Sequence, residues 1–345
     1  MDGNLESIAT RWARLSVDRA PYGTGLINLT LSGFIDQRRV IVQRVHPAFA
    51  DSVHQDIEAV TSHLDRSGVL TPRLVRTDAG ALSTIDGEGR SWRVLTFIDG
   101  SHSHDRIDGP SRATEAGRTV GRFHAALADL DHGYEHTRPG IHDIAFRRAG
   151  IERAVEVHGA HPLYDEVARG VDALGAFTDH LLPVDVTPSR HAHGDLKTSN
   201  VLFDGDGSGL CLVDLDTLAL MAWPFEMGDA IRSWCNPKRE DEPGARVDTT
   251  LFEAALRGYH AGCNGLNLDP LEIELLPRGT LTIACELAMR FLTDALEERY
   301  FSFDPARFAT RGEHNLARAR GQLALARSLA AELGSLEHIA RTTLR

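Results

Sequence analysis

HGDLKTSN (His193–Asn200) is followed at residues 210–217 by LCLVDLDT, with the turn-forming run DGDGSG between them. A hydroxyl that attacks phosphorus needs a carboxylate oxygen to orient it and to accept its proton, and Asp195 is the candidate for that role. A nucleoside triphosphate brings a divalent metal, and hard Mg2+ prefers carboxylate and amide oxygens, which makes Asn200 and Asp214 the candidate metal-holding pair. Strand-like segments at 201–203 and 210–213 predict a hairpin that returns Asp214 to Asn200. Read locally, Asp195 is only a turn former and Asn200 only a cap. The strand that follows, with its own Asp214, supplies the context a phosphoryl-transfer loop requires.

Outward from this island the chain divides in two. The N-terminal side is strand-rich. Residues 21–33 (PYGTGLINLTLSG) predict a strand, a turn and a strand, and RRVIVQRV at 38–45 predicts another. A helix is expected over 51–65, then strands over 74–76, 81–85 and 92–97, with the turn DGEG between the last two. From residue 111 onward, apolar stripes at three- and four-residue spacing predict helices over 111–130, 166–182, 249–261, 271–296 and 314–333. The fold class is α+β, a two-lobed arrangement: residues 1–98 as a small β-rich nucleotide-binding lobe, 99–110 as a connector, and 111–345 as a helical lobe for catalysis and acceptor binding.

Composition narrows the partners. The 345 residues hold 37 Lys+Arg against 49 Asp+Glu, a formal net charge of −12, with 42% hydrophobic and 25% charged residues. That is a globular mixture, and its acidity without any basic run argues against nucleic acid as partner. Cys211, Cys235, Cys263 and Cys285 form no CxxC pair and read as buried thiols rather than a disulfide framework or zinc site. The polar start MDGNLESIAT shows no leader pattern, and LCLVDLDTLALMAW, the most apolar run, carries Asp214 and Asp216. A soluble, cytoplasmic protein is expected, with no membrane partner; the oligomeric state stays open.

HGDLKTSN and LVDLD resemble the catalytic and metal-binding loops of the aminoglycoside phosphotransferase and choline kinase superfamily, relatives of protein kinases. H-G-D and D-L-D in place of the protein kinases' H-R-D and D-F-G point to the small-molecule branch. Within it, LVDLDT, FEMGDAIRSW, RFLTDAL with RYF, and HNLARARGQLALA are similar in order to N-acetylhexosamine 1-kinases, as are GLINLT and VIVQRVHPAFAD near the start. The resemblance implies a protein-kinase-like fold, ATP as co-substrate, Mg2+, and a small hydroxylated acceptor, with a sugar's anomeric hydroxyl favoured. It also implies Asp195 as base, Asn200 and Asp214 on the metal, and Arg290 and Tyr300 as acceptor-sugar residues. Gly25-Leu26-Ile27-Asn28-Leu29-Thr30 departs from the subgroup's usual Gly-His-Ile-Asn-Asp-Thr, and the segment from Arg290 to Tyr300 is one residue shorter.

Kinases place a cation near the phosphates, generally a Lys on the third strand paired with an acidic residue on the next helix. Arg44 stands at the matching strand position, with Asp56 or Glu58 as partner. Gly23 and Gly25 permit backbone N–H groups to approach phosphate. By fold analogy the 96–100 segment, with Phe97 and Ile98, faces adenine. Asp229 is expected to begin a helix as its cap, the resemblance adding a role in bracing the catalytic loop. Lys197 is either a neutraliser of the transferring phosphoryl group or a solvated lysine. His102 and His104 read as an exposed loop, not a metal site, and His193 as a support for its loop. The competing readings are a kinase for polycationic aminoglycoside antibiotics and a catalytically silent nucleotide-binding protein.

Overall fold

Alternating apolar residues build the first part of the molecule. In the computed structural model, which describes residues 2–22, 28–136 and 140–345 (without the side chains of 2–4), they form one antiparallel sheet. Its strands β1 (Leu15–Pro21), β2 (Leu29–Ile35), β3 (Arg38–Arg44), β4 (Thr84–Ile85) and β5 (Ser91–Thr96) lie in the order β1-β2-β3-β5-β4. Successive side chains of a strand point to opposite faces. Leu31, Val40, Val42, Trp92 and Val94 bury one face against Ile8, at the end of α1 (Asp2–Ala9), and Trp12. Ile41, Gln43, Arg93 and Leu95 look out from the other face into a large cleft. The segment 74–76, expected as a strand, makes only an isolated bridge from Leu74 to Leu95. Residues 81–83 also stay outside the sheet, because the Thr77 N–H bonds the Ala81 carbonyl at 2.8 Å and closes a turn there.

The second part is helical. After α2 (Val53–Arg66), whose buried face joins the helical core, come α3 (Pro110–Ala126), α4 (Ile144–Val157), α5 (Tyr164–Leu174), α6 (Trp223–Trp234), α7 (Thr249–Gly262), α8 (Pro270–Glu297) and α9 (Arg311–Thr343). The helix expected over 166–182 is α5 followed by a 3-10 turn, Gly175–His180, and α9 runs well past residue 333. α4 is not announced by the sequence, and α6 begins at Trp223, six residues before the Asp229 start expected for it. In α6, ten of twelve residues are buried, Glu226 and Asp229 among them, so no polar face marks it in the sequence. Two short pairs sit between the helices: β6 (Ser189–Ala192) with β9 (Ala219–Ala222), and the anticipated hairpin of β7 (Val201–Phe203) with β8 (Gly209–Leu212).

Helices α3 and α7 lie so close that glycine is required where they touch. A Cβ on Gly258 would collide with the Thr114 carbonyl oxygen, and one on Gly117 with that of Ala255. Backbone cannot yield as a side chain does. Gly258→Ala is therefore expected to destabilise the fold by about 1–3 kcal/mol in urea unfolding, although alanine is the better helix former.

All four cysteines are free and buried, as their spacing suggested. His102 and Phe203 exchange backbone hydrogen bonds (2.7 and 2.9 Å), and the His104 ring packs against that of Phe203, so SHSHD is tied to β7. Among the described residues no helix is long and apolar enough to cross a membrane.

Candidate active site

The loop after β6 is held from beneath. Glu226, one turn into α6 and 1% exposed, accepts the His193 N–H at 2.7 Å and the Gly194 N–H at 3.0 Å. Burial pushes its carboxyl up, but the His124 hydrogen bond and charge, with His193, hold it below the ordinary range, so it stays an acceptor. This bracing role was expected of Asp229. Asp229 instead lies in mid-helix and caps nothing, and its carboxylate pairs with Arg232 (2.8 Å). His193 is fully buried and donates from Nε2 to the Val213 carbonyl at 2.8 Å, so it supports the loop as expected. Thr217 Oγ1 donates to the His193 carbonyl at 2.8 Å.

These bonds bring the three central residues together. The Val213 N–H bonds the Asn200 carbonyl at 2.9 Å, closing the hairpin so that Asp214 returns beside Asn200. Asn200 Nδ2 donates to the Asp195 carbonyl (2.8 Å) and to Asp195 Oδ2 (3.2 Å), leaving its amide oxygen as the group it can offer. Lys197 Nζ stands 2.6 Å from Asp195 Oδ2 and 3.6 Å from Asp214 Oδ2. Burial raises the Asp195 carboxyl, yet the charge and hydrogen bond of Lys197, with His193 and Arg232, bring it down to about 2. At Asp214 burial wins over Lys197, helped by Asp216 and Asp195, and the carboxyl lies above the ordinary range. Asp214 also adopts a left-handed backbone (φ 65°, ψ 58°), unusual for a side chain other than glycine.

Asp195, Asn200 and Asp214 line one cleft of about 1040 Å³ between the sheet and the helices. Phe97 and Ile98 line it as well, as do Arg290 and Tyr300, whose guanidinium and ring lie 5.8 Å apart. Gly23 and Gly25 lie outside the described residues.

Arg44 does not belong to this set. It opposes Trp92 across β3 and β5 and so shares the face of Val40 and Val42, away from the cleft. Its expected partners are engaged elsewhere: Asp56 accepts from His132 (2.8 Å) and two backbone N–H groups, and Glu58 pairs with Arg76 (2.8 Å). One residue along, Gln43 faces the cleft, and the buried cation comes from β5. Arg93, 1% exposed, donates to both oxygens of Asp216 (2.9 Å from Nη2 to Oδ2) and, through Nε and Nη2, to Gln43 Oε1 (2.9 and 2.7 Å). Asn28 Nδ2 completes the cluster, 2.6 Å from Asp216 Oδ2. Burial raises the Asp216 carboxyl, but Arg93 and Asn28 hold it below the ordinary carboxylate range. The second Asp of DLD thus ties the loop of Asp214 to three strands or their ends. Nothing in the local spacing announces this contact, since Arg93 and Asp216 are 123 positions apart.

A sheet over a helical body, with a braced H-G-D loop and a D-L-D turn meeting in the cleft between them, is the build of a small-molecule phosphotransferase. Residues 21–263 match the phosphotransferase enzyme family, and the chain belongs to it. It is an enzyme of the aminoglycoside phosphotransferase and choline kinase type, transferring a phosphoryl group to a hydroxyl. Among solved structures it is similar to an aminoglycoside phosphotransferase from Alicyclobacillus acidocaldarius (TM-score 0.59, 16% identity, 98% of this chain and 96% of that one). It is also similar to a microcompartment-associated aminopropanol kinase (0.62, 14%, 96% and 98%). An amicoumacin kinase in complex with AMP-PNP, Ca2+ and Ami is a third (0.63, 12%, 93% and 92%). At these identities the likeness is one of fold.

Proposed function

We propose that this chain transfers the γ-phosphoryl group of ATP, with Mg2+, to a hydroxyl of a sugar or amino sugar, the anomeric hydroxyl above the others. The observation that carries the reading is the meeting of Asp195, Asn200 and Asp214 in one cleft. Asp195 orients the attacking hydroxyl. The Asp214 carboxylate and the Asn200 amide oxygen are hard donors of the kind Mg2+ accepts, and two such groups suffice for a metal that arrives with phosphate oxygens and water. Among the described residues no three His, Cys, Asp or Glu side chains form a cage of their own. The metal, when bound, supplies neutralisation of the phosphate charge. Lys197, already between Asp195 and Asp214, adds a cation on the protein's side.

The acceptor side favours a sugar over a polycation. The carboxylates lining it are committed: Glu286 to His142 (2.7 Å) and Arg147 (3.1 Å), Asp229 and Glu240 to Arg232 (2.8 and 3.2 Å), and Glu297 to Arg299 (2.8 Å). Asp294 accepts the N–H groups of Arg299, Tyr300 and Phe301. ATP turnover across a panel of free sugars, amino sugars and aminoglycosides tests the proposal. The expected product shows an anomeric phosphate in its phosphorus NMR spectrum; turnover with aminoglycosides alone would overturn the sugar reading.

A further inference from the structure

The chain carries a net charge of −12, yet the free charge on the α8 side of the cleft is positive. With its carboxylates paired as described, two guanidinium groups lining that side, Arg290 and Arg153, make no ion pair or hydrogen bond with any described residue, although the Arg290 charge reaches Glu286, the carboxylate that His142 and Arg147 hold. Arg290 is half-buried and backed by aromatic rings, 5.3 Å from Phe301 and 5.8 Å from Tyr300. Phe291 packs against Phe301 at 4.6 Å and carries a second guanidinium, that of Arg318, 5.7 Å from its ring. Arg318 is nearly buried and donates to neutral acceptors, the Ser302 carbonyl and Asn315 Oδ1 (2.8 and 3.1 Å); Glu240 stands off at 4.0 Å. Burial lowers the pKa of Arg318, with Glu240, Asp241 and Asp294 offsetting only part of it, the condition of a cation short of counter-charge. A planar guanidinium fixed on an aromatic face keeps its fork of N–H donors for an oxyanion.

We propose that the acceptor carries an oxyanion substituent besides its reactive hydroxyl, and that Arg290 binds it, with Arg153 and Arg318 adding to the field. This rests on reading the α8 side of the cleft as the acceptor site, and it narrows the class from sugars in general to acidic ones. A neutral sugar offers the Arg290 donors hydroxyl oxygens but no counter-charge. A polycation meets them with like charge.

The test compares kcat/KM within acceptor pairs that differ in the charged group: glucose with glucuronate, galactose with galacturonate, glucose with glucose 6-phosphate, and glycerol with glycerate. The charged member is expected to win by about tenfold or more in at least one pair, and the carboxylate and phosphate arms show which oxyanion fits. In Arg290→Gln the ratio within that pair is expected to fall to about one, and in Arg290→Lys, which keeps the charge without the fork, to an intermediate value. Should the glutamine variant fail to fold, the lysine variant reads the same ratio. Turnover of neutral members equal to or above that of the acids in every pair, or a ratio untouched by either substitution, overturns the inference and leaves the sugar proposal standing. Product from glycerate but from no sugar does the reverse. No product from any charged member also overturns it.

Discussion

Asp195→Ala is expected to lower turnover by about 10²–10⁴-fold while nucleotide affinity stays within about twofold of the parent's. The side chain touches the space where a hydroxyl must sit; truncation at Cβ removes the Lys197 bond to Oδ2, but Asn200 still donates to the Asp195 carbonyl and holds the loop. A carboxylate held at about 2 by Lys197 is a weak base, so its contribution is orientation of the hydroxyl before proton removal. That suits a loose transition state, in which little proton transfer is needed early. The sign of the pH effect follows. The acid form is inactive, so activity is lost as pH falls through the folded-state pKa, and at about 2 this lies below the range in which most folds survive. Lys197→Met removes the main force holding that value down. Its acidic limb of kcat/KM is expected to move to higher pH, into the measurable range, and an unmoved limb would show that Lys197 does not set the ionisation of Asp195.

The second large effect is on stability. Arg93→Ala strips a buried carboxylate of its cation, and loss of one partner of a buried ion pair costs about 3–5 kcal/mol. Asp216 would keep Asn28 as donor, which cannot replace a charge. Because the cost is that of a stranded charge, the double variant Arg93→Met with Asp216→Asn is expected to recover a substantial part of it. Urea unfolding of the two single variants and the double one measures the coupling. Additive losses would mean that the pair contributes nothing as a pair.

These two residues also mark where the sequence was legible. Asp195, Asn200 and Asp214 fall within one short stretch, and the hairpin joining them is written in its turn-forming residues, so both the site and its closure follow from local spacing. Arg93 and Glu226 act on the same loops from distant elements, and their role exists only once the elements are packed. Arg44 failed for a different reason. A strand presents alternate residues to alternate faces, so the cleft-facing position is Gln43, and Arg44, one residue on, falls on the Trp92 face. The first half of α6 escaped because burial on nearly every side erases the apolar stripe, and β6 with β9 because two four-residue strands pair across an intervening hairpin. The larger pattern of strands before residue 100 and helices after 110 survived, since it rests on periodicity summed over many residues.

The paired backbone bonds between His102 and Phe203 have a mechanical consequence. They rivet the crossing strand of chain to the same hairpin that carries Asn200, while Arg93 rivets the sheet to the turn beyond it. One fastening lies on the hairpin and the other on the turn just after it, so the connector and the sheet are both held to the segment that bears Asn200 and Asp214. Loosening either fastening is therefore expected to let the sheet shift over Asn200 and Asp214, while the far lip with Arg290 and Tyr300 lies outside both.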